Sequence, residues 1–155
     1  MVNYNMEKDR YTYSKVSDIV VYDFFSEGPK GRIRKMVRYN WMDTEELSGR
    51  VYNLSFGDVD ETLNSMDDKA VSNNLDKEKI LRTVADTIIE FTKDRPNMLV
   101  FAQGNTPARN RLYQMMINSS WKEIVSQFVV LGFLDDQWLQ FQKGVNYEAF
   151  LISRR

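Results

Sequence analysis

A chain of 155 residues, 43% hydrophobic and 13% aromatic, carries enough apolar side chain for a core that needs no disulfide or metal, which excludes a disordered chain and leads us to expect one domain over 1–155. Its 21 basic and 22 acidic residues leave a net charge of -1, so no global field draws it to nucleic acid or an anionic membrane, and any such binding needs a local patch. Cysteine and histidine are both absent, which excludes thiol nucleophiles, thiolate and imidazole metal sites and a Ser-His-Asp triad, and leaves acid-base chemistry to Asp, Glu, Tyr, Lys, backbone or water.

In chain order, Met1-Val2-Asn3-Tyr4-Asn5 lacks a basic segment followed by an apolar core, and no later apolar run approaches the ~18 residues of a membrane span. A soluble, cytoplasmic protein without a membrane partner is the expectation. Asp18 to Phe25 reads as a strand that stops at the turn Ser26-Glu27-Gly28-Pro29-Lys30-Gly31. From Arg32 to Trp41 the alternation predicts a second strand. Ile33, Val37, Tyr39 and Trp41 share one face, with Lys35 as the exception, and Arg32, Arg34, Met36, Arg38 and Asn40 share the other. Val51 to Phe56 is a third strand ending at Gly57-Asp58, which completes an antiparallel meander. Asp58 to Asn74 is polar and without a period, so a long loop or short irregular helix is expected there.

Leu75 to Lys93 has helical spacing in Ile80 or Leu81, Val84, Ile88 and Phe91, with Asn73 or Asn74 as cap and Asp76 and Glu78 in the first turn. Arg95-Pro96-Asn97 ends that helix, and Met98 to Ala102 reads as a buried strand. Gly104-Asn105 suits a turn with positive φ, Thr106 an N-cap and Pro107 the first helical position. The helix so started is expected to bury Ala108, Leu112, Met115 and Met116, and to restart at Ser120, whose capping box with Glu123 covers Trp121 to Phe128. Strands over Val129–Leu134, Trp138–Gln142 and Tyr147–Ser153 follow, with a turn at Asp135-Asp136-Gln137. The fold class is α+β: a mainly antiparallel sheet of about six strands with two principal helices.

The candidate ligand site is the turn from Gly104 to Arg111. Its helix start offers unpaired amides and a positive dipole end, where a cation such as Arg109 is mildly unfavourable and asks for an anion between them. Gly104, Asn105, Thr106, Arg109 and Arg111 are the ligand-binding candidates. Arg109 and Arg111 diverge around the helix, so Arg109 is the better of the two, and Arg109→Ala is expected to weaken binding with little loss of stability. Tyr113, on the stripe of Arg109, is the one catalytic candidate. The plain alternative is a structural connection whose arginines pair with surface acids and whose tyrosine is core. A second candidate is the row Arg32, Arg34 and Arg38, aided by Lys30 and Lys35, which would meet a partner or a nucleic-acid backbone, against a solvated outer sheet face. Asp58, Asp60, Glu61, Asp67 and Asp68 match no calcium-loop spacing, and no metal is expected.

Two resemblances add to this. Tyr52-Asn53-Leu54-Ser55-Phe56-Gly57-Asp58, Ser72-Asn73-Asn74, Gly104-Asn105-Thr106-Pro107-Ala108-Arg109 through Tyr113, and Gly144-Val145-Asn146-Tyr147-Glu148-Ala149-Phe150 together resemble a family of small uncharacterised bacterial proteins, over nearly the whole chain. That resemblance implies a bacterial, single-domain, cytoplasmic protein and no particular activity. The order strands, helix, strand, helix and two final strands is similar to the latter part of the GNAT acyltransferase fold, and Asn105, Ala108, Leu112 and Tyr113 resemble, one residue out of step, its segment in which Asn precedes a helix carrying a Leu-Tyr pair. This second resemblance implies acetyl-CoA as cofactor, a splayed strand pair, and Tyr113 as proton donor to the leaving thiolate. The glycine-rich pyrophosphate loop of such enzymes is missing after Phe56, where only Gly57 and an acidic stretch stand. Two functions follow as expectations: an interaction or regulatory module, such as half of a toxin and antitoxin pair, with a protein partner or phosphate-bearing ligand; or a GNAT-like N-acyltransferase.

Overall fold

The computed structural model describes residues 10–17, 20–42, 50–62, 65–67 and 73–155. These form nine strands and three helices: β1 (Ser14–Ser17), β2 (Val21–Gly28), β3 (Gly31–Met42), β4 (Val51–Asp60), β5 (Ser65–Asp67), α1 (Lys77–Lys93), β6 (Leu99–Ala102), α2 (Pro107–Ser119), α3 (Trp121–Gln127), β7 (Phe128–Leu134), β8 (Gln137–Gln140) and β9 (Ala149–Arg154). The α+β class and the helical restart after Ser120 are as expected, but the sheet is larger than six strands. Strands lie in the order β1-β2-β3-β4-β6-β9-β7-β8, with β5 paired to the far end of β4. Every pair is antiparallel except β4 and β6, whose parallel pairing requires the crossover that α1 supplies. No helix of the described residues is long and apolar enough to cross a membrane.

The meander β2-β3-β4 is present, with longer strands than the turn residues suggested. β2 does not stop at Phe25: Ser26 pairs with Ile33 and Glu27 with Arg32, and the turn shrinks to Pro29-Lys30 between Gly28 and Gly31, whose φ is +90°. Ser26 stays in the ladder because its hydroxyl is bonded to Asp76 and Asn74 when buried. Likewise β4 continues through Gly57 to Asp60, since Met36 and Lys35 of β3 still pair with Gly57 and Asp58. Beyond a turn at Glu61-Thr62 the chain returns as β5 against Asp58–Asp60, so much of the expected loop is a hairpin. Asp18, the expected start of β2, and Asp68 and Ser72 lie outside the described residues.

One face of the sheet carries α1 and α2. Tyr22, Phe24, Val37, Tyr39 and Leu54 are buried beneath Val84, Ile88 and Phe91 of α1. Tyr39 stacks on Phe91 with centroids 4.1 Å apart, and its hydroxyl meets that of Thr87 at 2.8 Å. Burying Phe91 alone contributes about 2–3 kcal/mol, so this contact holds α1 to the meander. The cap of α1 is Asp76, without a side-chain capping bond, rather than Asn73 or Asn74.

The buried stripe of α2 is rotated from the expected one: Arg109, Tyr113, Met116 and Ile117 face inward with Gln114, while Ala108 is exposed and Leu112 and Met115 are half-buried. Excluding Arg109 from the core on charge alone hides the 109-113-116-117 spacing, which is a sound helical stripe. The capping box also fails, because Ser120 makes no side-chain cap and its buried hydroxyl has no hydrogen-bond partner among the described residues. Phe128, fully buried, already belongs to β7. The β7-β8 turn is where Asp135 and Asp136 take φ of 52° and 61°, the pair of positive values a tight two-residue hairpin needs. β8 ends at Gln140 rather than Gln142. β9 starts at Ala149 rather than Tyr147, because Tyr147 instead packs its ring against Gly132.

Candidate functional site

β4 and β6 run together only from Val51 to Leu54, and then part. β5 joins the same edge of β4 at Asp58. Between those points Ser55, Phe56 and Gly57 have no strand among the described residues beside them on that edge, and α2, starting just past β6, turns its first residues toward the gap. Thr106 caps α2 as expected: its hydroxyl accepts from the Arg109 amide at 3.1 Å, with Pro107 at the first helical position. Arg109 then reaches inward. Its Nη2 donates to the carbonyl of Phe56, its guanidinium lies 4.7 Å over the Phe56 ring, and it is only 4% exposed. A cation in the first turn of α2 thus has a reason within the fold: it fills the fork in place of a strand.

Gly104 and Asn105 do not take positive φ, contrary to expectation. Gly104 is needed for closeness, since a Cβ there would run into the Asn110 amide, and its own N–H donates to Asn110 Oδ1 at 3.2 Å. Asn110 in turn donates to the Tyr147 carbonyl at 2.7 Å, which ties the start of α2 to the segment leading into β9.

Beside the fork opens a pocket of about 300 Å³ on the helix-covered face of the sheet. Phe56 and Gly57 form its floor, Ile80 and Leu81 of α1 one wall, and Arg109 and Leu112 of α2 another. Lys35 and Asp58 close the sheet end. They are cross-strand partners in the β3-β4 ladder, their side chains form an ion pair, and Lys35 is 5% exposed. Lys35, the residue that broke the alternation of β3, therefore does belong to the inner face, and a carboxylate opposite it makes that position tolerable. Lys77 stands exposed on the rim, so three cations and one carboxylate border a largely apolar space.

The rim is braced by Asn74, which is buried. Its Oδ1 accepts from the Lys30 amide at 2.7 Å, and its Nδ2 donates to the Gly31 carbonyl at 2.9 Å and to the Ser26 hydroxyl at 3.0 Å. Next to it Asp76 accepts from the Ser26 hydroxyl at 2.6 Å and from the Tyr11 hydroxyl at 2.5 Å. Burial, and then the Asp76 bond, push the Tyr11 phenol above its ordinary pKa. Two residues on, Tyr13 donates to Asp86 at 2.5 Å, and burial with that bond raises its phenol strongly.

The remaining candidates fall apart in space. Asn105, Thr106 and Arg111 are exposed, and Arg111 diverges from Arg109 as its spacing implied. Tyr113 is 3% exposed and sits edge-on to the Phe56 ring at 5.4 Å, one layer behind the pocket floor. The arginines of β3 occupy the opposite face of the sheet, so Lys35 is no part of their row. Arg34 pairs with Asp23 at 2.9 Å and with Glu61 at 3.7 Å, Arg32 lies 3.9 Å over the Phe25 ring, and Arg38 is half-buried. No group of acids that could hold a metal ion occurs among the described residues; Asp58 is committed to Lys35, and Asp60 accepts from the Thr62 amide. Reasoning from sequence thus found Arg109 and missed Lys35, Asp58, Phe56 and Lys77 as neighbours of one cavity. The available signal was a lysine on an otherwise apolar strand face.

The chain belongs to the family of unknown function DUF6934, which matches residues 7–155. No curated protein and no solved structure matches it.

Proposed function

We propose that this member of DUF6934 is a ligand-binding regulatory module, whose small-molecule ligand sits beside the β4-β6 fork and sets how α1 and α2 are presented to a protein partner. The observation that carries this reading is the buried Lys35–Asp58 pair opening onto a cavity with apolar walls. A buried ion pair contributes little to stability compared with a well-packed apolar pair, so its place at a cavity wall favours a role toward a ligand. Both helices and the sheet line that cavity, so a bound molecule would couple all three. The test is thermal unfolding of the protein with a panel of metabolite acids, nucleotides, coenzyme A and acetyl-CoA, alongside Leu112→Trp, which fills the pocket from a half-buried position. A ligand at about 100 times its dissociation constant adds roughly 2.7 kcal/mol, a shift of several degrees. A shift lost in Leu112→Trp supports the reading. Its absence with every compound would leave the cavity without a purpose.

A second reading, acyl transfer from a coenzyme A thioester, is favoured by the parting of β4 from β6 and by the position of Tyr113 behind Phe56. In it the Thr106 helix start and Arg109 would contact the cofactor, and Tyr113 would protonate the leaving thiolate. Against it stands the missing glycine-rich loop. Release of free thiol from acetyl-CoA in the presence of an amine acceptor, lost in Tyr113→Phe, would decide for transfer.

A further inference from the structure

We infer that the ligand of this pocket is an amphipathic monocarboxylate: a single carboxylate on a short hydrocarbon or aryl body. The inference rests on the small-molecule reading above and names its substrate class. Charge comes first. Lys35 is matched by Asp58, so Lys77 and Arg109 leave the border of the cavity with an excess of two positive charges, and Arg109 is only 4% exposed. Charges presented from so dry a position attract an anion far more strongly than surface lysines do, since the interaction scales inversely with the local dielectric. A neutral guest would leave that attraction unused.

The shape of the guest follows from the walls. Phe56, Ile80, Leu81 and Leu112 offer it an apolar surface, so it needs a body that gains from leaving water. A volume of about 300 Å³ lies at the small end of ligand pockets, and suits a compact metabolite.

The number of charges on the guest follows from what else is present. A di- or triphosphate is usually held by the amides at a helix start and by glycine-rich backbone. The start of α1 carries the carboxylate of Asp76, which Tyr11 and Ser26 bond and which makes no side-chain bond to the helix amides, so a polyanion there would meet its negative charge. Asp58 stands in the pocket wall itself. A guest with one negative charge meets three cations against the single acid of the pocket wall, Asp58, whereas each further charge adds repulsion from that carboxylate. Guanidinium and ammonium groups both bind carboxylate well, and Arg109 adds planar geometry.

The experiment titrates the full chain with octanoate by calorimetry and by amide NMR, with 1-octanol, octyl phosphate and octanoyl-CoA as comparison probes. Two variants accompany it: Leu112→Trp, which fills the cavity, and Lys77→Ala, an exposed rim position that leaves the fold intact. The expected result is saturable single-site octanoate binding, about tenfold tighter than 1-octanol, weakened several-fold in Lys77→Ala and lost in Leu112→Trp, with resonance shifts at Phe56, Ile80 and Leu112. Equal binding of 1-octanol would overturn the carboxylate while keeping the pocket. Tighter binding of octyl phosphate would reassign the anion to phosphate, and tighter binding of octanoyl-CoA would return the site to acyl transfer; either overturns the inference and leaves a ligand site standing. No probe distinguishing the parent from Leu112→Trp would overturn both this inference and the reading it rests on.

Discussion

Arg109 and Phe56 are joined twice, by a hydrogen bond from the guanidinium to the main-chain carbonyl and by a guanidinium that covers the ring of the same residue at 4.7 Å. The pair spans 53 positions of sequence and stands just past the point where β6 leaves β4. Because Arg109 is buried, Arg109→Ala acts on stability as well as on any ligand, contrary to the sequence-based expectation of little loss. Leaving the carbonyl unpaired and removing the cation–π contact is expected to cost about 3 kcal/mol in urea unfolding. Arg109→Lys, which keeps the charge and loses the planar cover, should cost about half of that. A loss below about 0.5 kcal/mol for the alanine variant would mean that the fork is not held this way in solution.

For Lys35 and Asp58 the expectation is strong coupling. Lys35→Met leaves a carboxylate facing an apolar wall, and Asp58→Leu leaves a buried ammonium; each is expected to destabilise by about 3 kcal/mol. The double variant should recover most of that loss, since neither charge is then left behind. A double-mutant cycle with denaturant unfolding measures the coupling, and additive losses would show that the two side chains do not meet.

Asn74 holds the hairpin tip of β2 and β3 to the start of α1 through three hydrogen bonds. Asn74→Ala strands the Lys30 amide and the Gly31 carbonyl, with an expected loss of about 2 kcal/mol. The Lys30 amide, read by hydrogen exchange, should lose its protection more than the amides at the centre of α1. Uniform loss along the chain would argue against a local tie.

Alkaline pH should unfold this protein. Tyr13 and Tyr39 keep their protons in the fold well above the ordinary phenol value of 10.0, chiefly through burial, with Asp86 adding to the effect at Tyr13. Above about pH 10 the unfolded chain releases those protons while the folded chain holds them, so the unfolded state binds fewer protons and stability falls as pH rises. Below that pH the contribution is fully present. Phenolate absorbance should therefore rise in step with loss of near-ultraviolet circular dichroism, and Tyr13→Phe should make the alkaline fall less steep. Ionisation of all eight tyrosines in a chain that stays folded would contradict the burial of Tyr39.

How much of this was legible in advance varied with distance along the chain. The β3 alternation, α1 and the passage from β6 through Thr106 and Pro107 into α2 are set by residues within a few positions of one another, where steric preference and capping act directly. The capping box at Ser120 and Glu123 met the same local rule and did not form, because Ser120 also closes α2 and has ψ of 33° rather than the extended backbone of an N-cap. The continuation of β2 through Ser26 was illegible for the opposite reason: turn-forming residues were overruled by Asn74 and Asp76, just before α1 and 48 and 50 positions away.

By itself the sequence determined the α+β class, the meander, the long helix and the exclusion of thiol, imidazole and thiolate-metal chemistry, since composition and short-range periodicity suffice for each. Only the tertiary structure decided that Lys35, Asp58 and Arg109 border one cavity. Lys35 and Asp58 are 23 positions apart, and the Arg109 bond closes a separation of 53. No local preference carries that information, because the cost of burying a charge depends on which partner the folded chain brings to it, and that partner is chosen by the packing of α1 and α2 on the sheet.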